Sequence, residues 1–154
     1  MEIATFAAGC FWGIQVAFDS LDGVEKTIVG YTGGSTKNPT YEQVCSDKTG
    51  HAEAVKIFFD TKKISYQQLL KTFWNIHDPT QKNRQGFDIG TQYRSEIFYH
   101  TKEQKKIAEV SKKQKEKGIG KKVQTEISPA QEFYPAEEYH QKYLKKQGLR
   151  SCRF

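Results

Sequence analysis

The chain has 154 residues, a net charge of +6 and three cysteines, Cys10, Cys45 and Cys152. That length suits one domain, residues 1–154, with a single core. No apolar run approaches the roughly 20 residues of a membrane span, the N-terminus has no secretory signal pattern, and odd, widely spaced cysteines exclude a disulfide-stapled secreted scaffold, so a cytoplasmic protein is expected.

In chain order, "EIATFAAG" reads as a short strand leading into Gly9. From Cys10 the period changes, and Ile14, Ala17, Phe18 and Leu21 fall on one helical face. "VEKTIVGY" is an alternating strand, and "YTGGSTKNPTY" is a turn-rich connection. "HAEAVKIFFD" is the clearest later strand. "SYQQLLKTFWNIH" is a helix opened by a capping box from Ser65 to Gln68 and stopped near Pro79. "YRSEIFYH" is a strand, "VQTEI" a short one, and a final helix is expected from about Pro135 to Gln147.

Between the last two strands lies "TKEQKKIAEVSKKQKEKGIGKK", with nine Lys against three Glu. It holds the whole basic excess, opens with a capping-box pattern at Thr101 and Gln104, and carries Ile107 and Val110 at helical spacing. It has no aromatic residue to stack a base, so a solvated helix is expected and no nucleic-acid partner.

Strand, helix, strand, strand, helix, strand is the split β-α-β, ferredoxin-like pattern. The expected fold class is α+β: a two-layer sandwich whose mixed or antiparallel sheet is covered by helices, with an irregular C-terminal segment.

Cys10 follows a strand and a glycine and opens a helix. Unpaired N–H groups and the helix dipole gather at that point, and a thiol there tends toward the nucleophilic thiolate. It also borders an apolar face beside Phe11 and Trp12, so a packed core thiol fits the position equally. In "TGHAEAVKIFFD", Glu53 shares a strand face with Val55, Ile57 and Phe59. A carboxyl buried there would keep its proton and could serve as a general acid, whereas one at an exposed strand start would be solvated. His51 begins the same face. A Cys10–His51 pair would suit a cysteine hydrolase, and Cys10, Cys45 and His51 could hold a metal, although their spacing matches no familiar ligand pattern.

The motifs "GCFWG", "GYTGG", "PTYEQVCS", "TGHAEAV", "FWNIHDPT" and "RQGFDIGTQYRS", in this order from Phe6 to the C-terminus, closely resemble the A-type peptide methionine sulfoxide reductases. The resemblance implies a cofactor-free, metal-free enzyme that reduces methionine S-sulfoxide, free or in oxidised proteins. By that likeness Cys10 attacks the sulfoxide sulfur and Glu53 protonates its oxygen. Tyr41 and Tyr93 hydrogen-bond that oxygen, and Phe11 and Trp12 receive the S-methyl group. Asp88 matches a carboxylate near the site that orients water or the substrate amide. Attack leaves a sulfenic acid on Cys10. Cys152 stands at the place of the resolving cysteine that would convert it to a disulfide for reduction by thioredoxin. Cys45 is a spare candidate for that step at what reads as a packed position. The chain ends two residues after Cys152, so a further relay through a longer tail is not expected. His77, Asp78 and Pro79 would end a helix, Arg94 and Glu96 would pair, and Phe73 and Trp74 would be core. A monomer without membrane contact is expected.

Overall fold

The computed structural model describes residues 1–147; Cys152 lies outside the described residues. Its main sheet has the order β7 (Glu126–Pro129), β6 (Ser95–Tyr99), β1 (Glu2–Ala8), β3 (Ala52–Phe59), β2 (Val24–Thr32), β8 (Tyr134–Pro135). The inner strands are β1, β2, β3 and β6. Their neighbours β1–β3, β1–β6 and β2–β3 are all antiparallel, while β7 runs parallel to β6. The crossovers are α1 (Phe11–Asp19) between β1 and β2, and α3 (Tyr66–Asn75) between β3 and β6. The result is an α+β fold with a mixed sheet.

Alternation in β1 sends Ala4, Phe6 and Ala8 into the large core and Ala7 to the opposite face. Phe6 meets Phe18 of α1 at 5.5 Å and Phe73 of α3 at 5.1 Å between ring centroids. All three rings are fully buried, so each contributes on the order of 2–3 kcal/mol and fixes both helices on β1. The opposite face is narrower, with Ala7, Ala52, Ala54 and Phe98 covered by Ala130 and Phe133.

The buried side of α1 is Phe11, Ile14, Gln15 and Phe18, one step round from the expected stripe. Gln15 is there because its amide donates to the Thr27 carbonyl and accepts from the Lys142 N–H. The Ser65–Gln68 capping box opens α3, and His77 closes it. Its Nδ1–H donates to the Phe73 carbonyl at 2.7 Å, and its Nε2 accepts from the Ser95 hydroxyl at 2.7 Å. The end of α3 is thereby fastened to β6. Trp74 and Phe73 are core, and Arg94 pairs with Glu96 at 2.7 Å.

The basic stretch forms α4 (Lys102–Ile119), ended by Gly120 at φ 65°. Thr101 caps it, but the Gln104 amide bonds the His100 N–H and the Ile3 carbonyl, so the reciprocal half of the expected box is diverted to the sheet. Gln104 and Ala108 form its buried side, Ile107 packs against the core, and Val110 is mostly exposed.

The expected final helix over 135–147 is replaced by β8 (Tyr134–Pro135), a 3-10 turn at Glu138–His140 and the short α5 (Tyr143–Lys146). Pro135 pairs with Gly30 on β2. Gln141 bonds both the N–H and the carbonyl of Val29, and Lys142 adopts φ 58°. These tertiary bonds hold the segment along the sheet edge in a form that a continuous helix could not adopt. Two further elements were not expected: α2 (Tyr41–Cys45) and a hairpin of β4 (Arg84–Gln85) with β5 (Asp88–Ile89).

Candidate active site

Gly9 turns the chain between β1 and α1 at φ +96°, and a Cβ on it would lie 2.8 Å from the Gln85 side chain. Only glycine suits that conformation and that approach. Cys10 follows as the N-cap of α1, one position before the first helical residue, half-buried and with extended backbone angles. Its side chain does not cap the helix. Glu53 supplies that function: its Oε1 accepts the Phe11 N–H at 3.2 Å.

Glu53 lies on β3 opposite Tyr31 and is 1% exposed, on the face it shares with Val55, Ile57 and Phe59. Burial on the apolar face is thus found, and the solvated alternative is excluded. The α1 N-terminus brings the thiol-bearing residue and this carboxyl to one place.

Tyr41 at the start of α2 and Tyr93 in a 3-10 turn (Thr91–Tyr93) are both half-buried. Burial is the main cause that raises both hydroxyls above their ordinary pKa, and for Tyr41 a hydrogen bond with Cys45 adds to it. Both tyrosines therefore keep their protons at neutral pH as hydrogen-bond donors. Asp88, on β5, is half-buried, and burial pushes its carboxyl up.

Phe11 is fully buried, 5.7 Å from the Tyr31 ring and 5.3 Å from His140 between centroids. Trp12 is half-buried, donates its indole N–H to His140 Nδ1 at 3.0 Å and stacks on Tyr143 at 3.9 Å. The aromatic wall thus includes His140 and Tyr143, which sequence reasoning missed. Because Nδ1 accepts a hydrogen bond from Trp12, the His140 proton resides on Nε2, and burial pushes the imidazole below its ordinary pKa. Nε2 itself has no hydrogen-bond partner among the described residues.

Two expectations are corrected. The His51 ring accepts the Gly34 N–H at Nδ1 and donates to the Thr36 carbonyl at 2.6 Å through Nε2. Both nitrogens are committed to the loop after β2, so His51 has none left to act as a base for Cys10. Cys45 is exposed, not packed; its neighbour Val44 is the core residue of α2. Among the described residues no group of three His, Cys, Asp or Glu could hold a metal ion, and no helix is long and apolar enough to cross a membrane. A groove of about 650 Å³ between α3 and α4 holds Leu70, Trp74, Lys71 and Lys106 and shares no residue with this constellation.

A family model described as peptide methionine sulfoxide reductase matches residues 2–154. The chain belongs to the peptide methionine sulfoxide reductase family. It is 60% identical over 151 residues to the peptide methionine sulfoxide reductase MsrA of Methanosarcina acetivorans, covering 97% of this chain and 80% of that one. The reduced form of Mxr1 from Saccharomyces cerevisiae has a similar structure, with a TM-score of 0.91, 37% identity and coverage of 96% and 86%. Mxr1 in complex with Trx2 is also similar, with a TM-score of 0.67, 29% identity and coverage of 92% and 84%. The chain is an oxidoreductase that reduces methionine sulfoxide. The constellation combines a half-buried thiol, a buried carboxyl, two protonated hydroxyls and an aromatic wall.

Proposed function

We propose that the protein reduces the S-epimer of methionine sulfoxide, free or in oxidised proteins, through Cys10, with Glu53 as the acid. The bond from the Phe11 N–H to Glu53 carries this reading, because it joins the buried carboxyl to the residue next to Cys10. The N-terminal end of α1 favours negative charge on the attacking sulfur. A carboxyl as enclosed as Glu53 favours its neutral form and so has a proton to give.

The Cys10 sulfur attacks the sulfoxide sulfur while Glu53 protonates the oxygen, and the Tyr41 and Tyr93 hydroxyls donate to it as charge develops. The S–O bond to methionine breaks as the oxygen passes to Cys10, and the sulfur–sulfur bond made in the attack breaks with its electron pair left on the methionine sulfur. The substrate sulfur is reduced by two electrons, and Cys10 is oxidised to a sulfenic acid. Trp12, backed by Phe11, holds the S-methyl group, and Asp88 orients water or the substrate amide. The Cys152 thiol then displaces the sulfenic oxygen as water and forms a disulfide with Cys10. A thioredoxin dithiol reduces that disulfide, a reading supported by the Trx2 complex of the yeast neighbour. The reaction needs no metal or cofactor.

The test is a single-turnover experiment on Cys152→Ser without reductant. One equivalent of methionine should form per protein, and a cyclic 1,3-diketone should label Cys10. Methionine formed without a trappable sulfenic acid on Cys10 would overturn the route.

A further inference from the structure

We infer that Glu137 is a positioning residue for the reaction, setting the Tyr41 hydroxyl by clamping the start of α2 to β2 and to the segment that carries His140. The inference rests on the reading of Tyr41 as a donor to the sulfoxide oxygen.

One carboxylate joins three parts of the molecule. Glu137 Oε1 accepts the Tyr31 hydroxyl at 2.9 Å, and Oε2 accepts the Tyr41 backbone N–H at 3.0 Å. Tyr31 is fully buried and lies opposite Glu53 in the sheet, so it is a fixed reference point. Tyr41 is the first residue of α2, whose own capping box, Thr40 with Gln43, spends its bonds on Thr40 and Gln43 and leaves the Tyr41 N–H to Glu137. That helix has only five residues and follows a turn-rich loop; Val44 anchors its far side in the core, and Glu137 holds its first residue.

The same segment holds the Tyr41 ring. Glu137 caps the 3-10 turn that ends in His140, accepting the His140 N–H on its own carbonyl at 2.9 Å. The His140 ring then packs on the Tyr41 ring at 4.4 Å and accepts the Trp12 indole N–H. Tyr41 is thus held at its backbone by the carboxylate and at its ring by the turn that follows. Burial raises the Glu137 carboxyl, but the bonds from the Tyr41 N–H, its own N–H and the Tyr31 hydroxyl outweigh this and keep it below its ordinary value. It therefore remains a charged, strong acceptor at neutral pH. Glu137 touches none of the proposed reacting atoms; it acts through Tyr41.

The experiment is a double-mutant cycle on the first turnover, read as methionine formed per enzyme in a rapid-quench assay. Tyr41→Phe alone should slow reduction by about 30-fold, less than the roughly 10²–10³ for loss of a preorganised donor because Tyr93 still donates. Glu137→Ala alone should slow it by about 10-fold. In the Glu137→Ala background, Tyr41→Phe should cost less than about threefold more, because the hydroxyl is no longer in place. Glu137→Gln, which keeps the length and one acceptor oxygen, is run through the same cycle and should recover part of the coupling. Multiplicative single effects in both backgrounds would overturn the positioning role, since a merely structural residue lowers the rate without regard to the Tyr41 hydroxyl. An unchanged rate in Tyr41→Phe would instead refute the donor reading on which the inference rests.

Discussion

Acidification should weaken the fold through His77. The ring is partly buried against Phe73 and Trp74, and its nitrogens bond the Phe73 carbonyl and the Ser95 hydroxyl. Burial lowers its pKa from 6.5 to about 4, with the Phe73 bond and Asp78 opposing and Lys115 assisting. The folded state thus binds fewer protons than the unfolded chain below pH 6.5. Stability is whole above that pH and is lost as the pH falls toward 4. At about 1.4 kcal/mol per pH unit, the loss reaches about 2 kcal/mol at pH 5 and at most about 3 kcal/mol below pH 4. Urea unfolding at pH 7, 6 and 5 of the native chain and of His77→Gln isolates this contribution. The variant is less stable at pH 7 but should lose about 2 kcal/mol less than the native chain between pH 7 and pH 5. Parallel stability–pH curves for the two proteins would refute the reasoning.

Glu53→Gln keeps an acceptor for the Phe11 N–H and should preserve the fold, yet lower the first-turnover rate by about 10²–10³. A rate within threefold of the native one, in rapid-quench measurements, would remove Glu53 from the acid role. Gly9→Ala must hold φ +96° and place a Cβ 2.8 Å from Gln85, so it should cost about 1–3 kcal/mol in urea unfolding. An unchanged midpoint would show that the β4–β5 hairpin yields without resistance.

The parts of the fold written in local periodicity were legible. Alternation placed Glu53 with Val55, Ile57 and Phe59, and the Ser65–Gln68 box marked the start of α3 as found. The same kind of signal, Thr40 with Gln43, marks α2 and lay unread within the turn-rich stretch. The C-terminal segment was not legible, because its path is set by partners far along the chain. Gln141 bonds Val29, Gln15 bonds Lys142, and Glu137 bonds Tyr31 and Tyr41. His140 and Tyr143 were missed for the same reason, as they join the site only once that segment lies against Trp12. His51 misled because a histidine on the strand face of Glu53 offers a partner for Cys10, and only the loop bonds to Gly34 and Thr36 reveal its structural role.

The central claim is that Cys10 takes the oxygen from one epimer of methionine sulfoxide. The most direct measurement is turnover of the separated S- and R-epimers with dithiothreitol by the native chain and by Cys10→Ser. The native chain should reduce the S-epimer, and Cys10→Ser should not. Failure of the well-folded native chain to reduce the S-epimer, or activity that survives in Cys10→Ser, would contradict it.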